Sequence, residues 1–235
     1  MLIDAGLSAR QISTRLASIG EDLDSIDAIL VTHEHSDHVS GLPVLCRQMK
    51  RPAPVFMTAP AASAMDWNGL ASPAIELFQA GSRLEVGDFS IQSFTIPHDS
   101  ADPVGFVLQA DGVKLAIATD LGYLPENVKF HIGGAHFLLL ESNHNPEMLK
   151  VGPYPWHIKQ RILSRKGHLS NEAACEYIAS DLSSETQILV LGHLSEQNNS
   201  IWDAELCARQ ALERRGVHPR LVVQTPRQQG DPIIL

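Results

Sequence analysis

The chain has 235 residues, with 18 Lys+Arg against 27 Asp+Glu, for a formal net charge of −9 at pH 7. A hydrophobic fraction of 44% beside 19% charged residues excludes wholesale disorder, and apolar runs such as Phe137–Leu140 and Ile188–Leu191 are far too short to cross a bilayer. The negative balance argues against a broad nucleic-acid-binding surface and leaves room only for a local basic patch.

In chain order, Leu2–Gly6 reads as the end of a strand. The pattern from Ser8 to Ile19 then predicts a helix with Ser8 as N-cap and Gly20 after its C-terminus. Asp27–Thr32 is a short apolar run of the kind buried inside a sheet. A helix is expected from about Ser40 to Met49, and a strand at Val55–Thr58. Arg83–Thr119 is hairpin-like: Phe89–Ile96 alternates, and Val104–Ala110 and Lys114–Thr119 flank an Asp111–Gly112 turn. Phe137–Leu140 is another buried strand, Tyr154–Asp181 reads as two helices, and Gln187–Leu191 as a strand. A helix from about Asp203 to Arg215 precedes a last strand, Arg220–Gln224. Strands followed by helices, twice over, predict one α/β domain over 1–235, with sheets face to face and helices outside. The three cysteines, Cys46, Cys175 and Cys207, stand 129 and 32 residues apart. They form no zinc pair and argue against a disulfide framework; with no signal-peptide pattern at the start, a reduced, cytoplasmic protein is expected.

The chemistry concentrates in Thr32–His33–Glu34–His35–Ser36–Asp37–His38, directly after an apolar strand. Imidazole and carboxylate together suit zinc, manganese or iron. On an extended segment His33 and His35 point the same way, and Asp37 and His38 enter the next helix. One loop can thus supply two adjacent metal ions of the kind that clamp the attacking and leaving oxygens of a displacement. More ligand-type residues fall at strand ends: His98 after Phe89–Pro97, Asp120 after Lys114–Thr119 and His193 after Gln187–Leu191. A lone histidine there is more often structural, but here all of them coincide with the cluster.

This series, with Leu2–Gly6 as a first motif, resembles the ligand series of the metallo-β-lactamase-fold hydrolases over nearly the whole chain. The resemblance implies an αββα sandwich with two divalent ions, zinc or manganese. His33, His35 and His98 would hold one ion, and Asp37, His38 and His193 the other, with Asp120 bridging and Asp4 orienting a ligand histidine. Glu141–Asn145, Tyr154–Trp156 and Gly167–Asn171 resemble the YycJ/WalJ-type branch, bacterial exonucleases related more distantly to the tRNA 3′-processing RNases. The family pattern also has a β-hairpin before the first motif, whereas here Met1 stands directly before Leu2–Gly6; the expectation is either a truncated or mis-started chain or a fold that tolerates an open edge at this strand.

From His144 to His168 there are five basic residues, Lys150, Lys159, Arg161, Arg165 and Lys166, against Glu147 alone. That surplus is either a solvated helix face or a surface for a phosphate backbone. Tyr154 and Trp156 stack bases or pack a loop. Ser170 and Asn171 open a helix whose N–H groups favour an anion, and with Lys159 and Arg161 they are the expected substrate contacts. The leading reading is a two-metal phosphodiesterase, a 5′-to-3′ DNA exonuclease acting on DNA in preference to RNA and away from any membrane. Asp37 would take the nucleophile's proton, and His168 or His144 would assist the leaving group. The alternatives are a hydrolase of small thioesters, lactams or cyclic phosphates on the same site, and a non-catalytic metal-binding regulatory protein.

Overall fold

The computed structural model describes residues 1–67, 74–225 and 227–235. These residues gather into two compact units: Met1–Thr95 with Ser100–Val104, and Ile96–Asp99 with Gly105–Leu235. No helix among them is long and apolar enough to cross a membrane.

The first unit contains β1 (Leu2–Ile3), α1 (Ala9–Ser18), β2 (Ile29–Leu30), α2 (Ser36–Val39), α3 (Leu42–Gln48), β3 (Val55–Thr58), α4 (Ala59–Ala64), β4 (Ile75–Phe78), β5 (Arg83–Val86) and β6 (Phe89–Thr95). Strands β1 to β4 lie side by side in sequence order, and every neighbouring pair is parallel. Strand β1 is therefore an edge, and β5 and β6 form an antiparallel hairpin. Ser8 caps α1 as expected: its Oγ accepts from the Gln11 N–H at 3.3 Å, and the Gln11 side chain accepts from the Ser8 N–H at 3.2 Å. Buried Ile12 of α1 joins Ile29, Val31, Leu42, Leu45, Val55 and Met57 in the core. The helix expected from about Ser40 to Met49 is α3, and a separate short helix before it, α2, carries Asp37 and His38.

The second unit contains β7 (Val104–Ala110) from Gly105 onward, β8 (Val113–Ala118), α5 (Glu126–Ile132), β9 (Phe137–Glu141), α6 (Pro146–Val151), α7 (Trp156–Ile162), α8 (Asn171–Ser180), β10 (Ile188–Gly192), α9 (Ile201–Arg215) and β11 (Arg220–Val223). Strands β7 and β8 are antiparallel through the Asp111–Gly112 turn, where φ is +50° and +80°, the left-handed pair that a tight hairpin requires. From β8 the sheet continues β9, β10, β11, all parallel. β10 is buried throughout, and so are Leu138 and Leu140 of β9, which explains its near-continuous apolar sequence. The spacing of the cysteines argues against a disulfide, yet Cys175 of α8 and Cys207 of α9 are paired, with Cα atoms 6.1 Å apart. Packing of the two helices brings these residues together, and cysteine spacing carries no trace of that packing.

Candidate functional site

In the first unit the histidine loop is held from behind by the β1 motif. Asp4 follows β1 with φ +58°, a left-handed conformation that costs an ordinary residue about 1–3 kcal/mol and concentrates at functional sites. Its Oδ1 accepts from the Thr32 N–H at 2.8 Å, and its Oδ2 from the Thr32 hydroxyl at 2.8 Å and from His38 Nδ1 at 2.8 Å. With the Thr32 hydrogen committed to Asp4, its oxygen accepts from His33 Nδ1 at 3.0 Å. Both rings are thereby fixed with a proton on Nδ1 and a lone pair on Nε2, the form that ligates a metal. His33 Nε2 lies 3.0 Å from His35 Nδ1, and His38 Nε2 lies 3.7 Å from Asp37 Oδ2. Asp4 thus holds the His38 ring through Nδ1. We expect Asp4→Ala to weaken metal affinity by about 10–100-fold, measured by competition with a chromogenic chelator; unchanged affinity would remove Asp4 from this role.

The same motif approaches the loop too closely for any side chain. A Cβ on Gly6 would stand 1.5 Å from the Asp37 carbonyl oxygen, and Ala5 N–H donates to the His38 carbonyl at 2.7 Å. Gly6→Ala must therefore displace the backbone that carries Asp37 and His38, which costs at least the roughly 1–3 kcal/mol of an overpacked core. The expected result is a lower melting temperature together with lost metal binding; a variant unchanged in both would show that the loop is free to move.

In the second unit the parallel register builds the site. Ala118 of β8 pairs with Leu140 of β9, and Glu141 of β9 with Gly192 of β10. Asp120, Glu141 and His193 therefore emerge together at the carboxyl ends of three adjacent strands, where ligand sites of open α/β sheets are found. Asp120 and His193 both have left-handed backbones, with φ +60° and +57°. His168 and His193 each donate from Nδ1 to Glu141 Oε1, at 2.8 and 2.9 Å. The other carboxylate oxygen accepts from the Leu121 and Leu169 N–H groups at 2.8 and 3.2 Å. Burial alone would raise this carboxyl, but hydrogen bonds from the two imidazoles outweigh it and hold Glu141 well below the usual carboxylate range. Burial likewise pulls His168 down, and the bond and charge of Glu141 more than reverse it, so His168 titrates above an ordinary histidine.

Asp120 Oδ1 lies 3.4 Å from His193 Nε2, 3.7 Å from His168 Nδ1 and 3.9 Å from His98 Nε2. These are long for hydrogen bonds. Those to His193 and His98 suit ligands about 2.0–2.2 Å from a shared ion, which at tetrahedral angles stand about 3.4 Å apart. With the Nδ1 atoms of His168 and His193 committed to Glu141, the donors that fit a divalent cation here are Asp120 Oδ1, His193 Nε2 and His98 Nε2. His98 is buried; its Nδ1 donates to the Gly167 carbonyl at 3.2 Å, which leaves the Nε2 lone pair on the Asp120 side. Burial, partly opposed by Asp120, keeps this ring below the usual histidine range and therefore neutral, as a ligand must be.

Several expected contacts are placed otherwise. His144 is 1% exposed, neither ring nitrogen has a hydrogen-bond partner among the described residues, and burial pushes it down to about 4. An imidazole so enclosed does not reach a leaving group, and what His144 supplies is main chain, its carbonyl accepting from Asn171 N–H at 2.9 Å. Lys159 is 8% exposed and spends its ammonium on the Lys150 carbonyl at 2.7 Å. Ser170 caps α8, accepting from Ala173 N–H at 3.1 Å. Buried Asn171 accepts from Ser142 Oγ at 2.7 Å and bonds Asn199. Of the basic surplus, Lys150 pairs with Glu147, Arg161 with Asp99, and Arg165 lies over the Tyr123 ring at 4.2 Å. The patch is accordingly smaller than its composition implies. Arg161 alone among the expected substrate contacts lines a cavity of 460 Å³, which His168 also borders.

Glu141 is not among the expected site residues, although it opens the Glu141–Asn145 stretch and stands one position after the apolar run Phe137–Leu140, at a strand end like Asp120.

The β-lactamase superfamily domain model matches residues 1–194. Exodeoxyribonuclease YycJ of Bacillus anthracis is 38% identical over 218 residues, 92% of this chain and 82% of its own. Exodeoxyribonuclease WalJ of Streptococcus pneumoniae serotype 2 (strain D39 / NCTC 7466) is 37% identical over 203 residues, 85% of this chain and 75% of its own. Among solved structures, the metallo-β-lactamase fold protein YhfI of Bacillus subtilis superposes with a TM-score of 0.67 at 17% identity, covering 94% of this chain and 83% of YhfI. With the domain model over most of its length and relatives this similar across both chains, the chain belongs to the β-lactamase superfamily and has the metallo-β-lactamase fold.

Proposed function

We propose that this protein is a metal-dependent phosphodiesterase that degrades DNA from an end, in the 5′-to-3′ direction. The observation that carries this reading is that Asp120, Glu141 and His193 emerge together at the carboxyl ends of three parallel strands, with Asp120 Oδ1 3.4 Å from His193 Nε2 and Glu141 holding His193 and His168 through their Nδ1 atoms. Relatives named as exodeoxyribonucleases support the choice of substrate. His33, His35, Asp37 and His38 of the first unit, and His98, Asp120 and His193 of the second, are the proposed metal ligands. Divalent ions, zinc or manganese, supply Lewis-acid stabilisation of the charge that builds on the phosphate.

The chain's own residues do the rest. Asp4 and Thr32 hold His33 and His38 in the ligating tautomer. Asp37, exposed on α2, takes a proton from the attacking water. Glu141 fixes the Nδ1–H of His168, so the opposite nitrogen is the one that gives a proton to the departing oxygen.

Digestion of end-labelled DNA and RNA, duplex and single-stranded, across a metal series tests the reading. The expected result is release of nucleotides from the 5′ end of DNA, abolished in Asp120→Ala. Turnover of a small ester with no cleavage of nucleic acid would instead establish the small-molecule hydrolase. The purified protein is expected to carry about two divalent ions per chain, as two-metal hydrolases do. A content near zero in metal-replete buffer, read by plasma mass spectrometry, would overturn the ligand assignment.

A further inference from the structure

The cavity beside His168 has a composition that a phosphate site alone does not need. Its volume is 460 Å³, in the range of sites that enclose small molecules and far too small for a duplex. One wall is apolar: Tyr154, then Ile158 and Ile162, which stand one helical turn apart on the same face of α7. The lining also includes the polar side chains Asn143, Ser195 and Gln197. Arg161 and Arg227 add cationic groups, Arg227 being paired with Glu196 at 2.5 Å and Arg161 with Asp99. An aromatic ring, apolar side chains and amide groups in one cavity are what a nucleobase needs, since its faces stack and its edges hydrogen-bond. A guanidinium nearby suits the attached phosphate.

Resting on the nuclease reading of the same site, we infer that this cavity receives one nucleoside unit of the substrate strand, the one next to the cleaved phosphate, with its base against Tyr154. The pocket makes Tyr154 a substrate-binding residue. It also sets the unit of recognition at a single splayed nucleotide, which a strand end supplies more readily than a stacked interior.

The test compares kcat/KM of the metal-loaded enzyme on an end-labelled DNA strand with that on the same strand carrying an abasic residue at either nucleotide flanking the first cleaved phosphate. Tyr154→Ala is expected to lower kcat/KM on intact DNA by about 5- to 150-fold, the effect of losing one stacked base, while Tyr154→Phe retains activity. One abasic substrate should lower wild-type kcat/KM by a similar factor, and on it Tyr154→Ala should cost little more, because the two changes remove one interaction. Losses that multiply, or Tyr154→Ala within about two-fold of wild type on intact DNA, would overturn the proposal while leaving the nuclease reading intact. If no DNA is cut by the wild type, the nuclease reading falls, and equilibrium binding of thymidine 5′-monophosphate decides the pocket. Binding lost in Tyr154→Ala and kept in Tyr154→Phe supports it; no binding, or binding indifferent to Tyr154, overturns it.

Discussion

Glu141→Gln is expected to lower the melting temperature by about 6–20 °C, the shift that corresponds to about 3–5 kcal/mol in a chain of this size. The substitution is nearly isosteric, so the effect is one of hydrogen-bond accounting. The wild-type carboxylate is fully buried and accepts four donors: Nδ1 of His168 and of His193 on one oxygen, and the Leu121 and Leu169 N–H groups on the other. A carboxamide has only one oxygen, and its NH2 group must face a pair of these donors whichever way it is turned. Two donors are left buried and unsatisfied, and the charge that holds both rings is gone. Metal affinity should fall as well, by about 10–100-fold, because His193 loses the partner that sets its tautomer. Thermal denaturation with and without chelator, followed by metal titration, provides the measurement. A melting temperature within about 2 °C of wild type would show that Glu141 carries neither role.

How far the sequence is legible depends on how local the interactions are. His33, His35, Asp37 and His38 are apparent without a structure because they lie within six residues of one another. Asp120 and His193 are apparent because buried apolar runs mark where strands end. Glu141 ends such a run too, but a single acid after an apolar strand has no special meaning until β8, β9 and β10 are known to be parallel and in register. Lys159 shows the opposite error. A lysine in a basic stretch reads as a phosphate contact, whereas its ammonium satisfies a carbonyl of α6, a short helix that periodicity does not reveal. The Cys175–Cys207 pair depends likewise on how α8 packs on α9. Left-handed backbone at Asp4, Asp120 and His193 is imposed by surrounding structure against local preference, so no local pattern announces it.

His168→Ala is expected to leave metal content unchanged while DNA turnover falls by about 100- to 10,000-fold, the range for a lost acid–base group. His168 follows a glycine-containing turn immediately before α8, where Ser170 and Asn171 are committed to holding the helix start. Its ring borders the 460 Å³ cavity and is tied to Glu141 through Nδ1, an arrangement that aims the other nitrogen and favours the protonated ring. A ring in that state donates a proton and makes a poor metal ligand, which separates His168 from the neutral, buried His98. His144, the other candidate proton donor in the sequence, is enclosed and pushed down to about 4, so it does not substitute. Steady-state kinetics on labelled DNA beside plasma mass spectrometry of the same preparation separates the outcomes. Loss of an ion in His168→Ala would make His168 a ligand, and unchanged turnover with full metal content would leave it as a structural partner of Glu141.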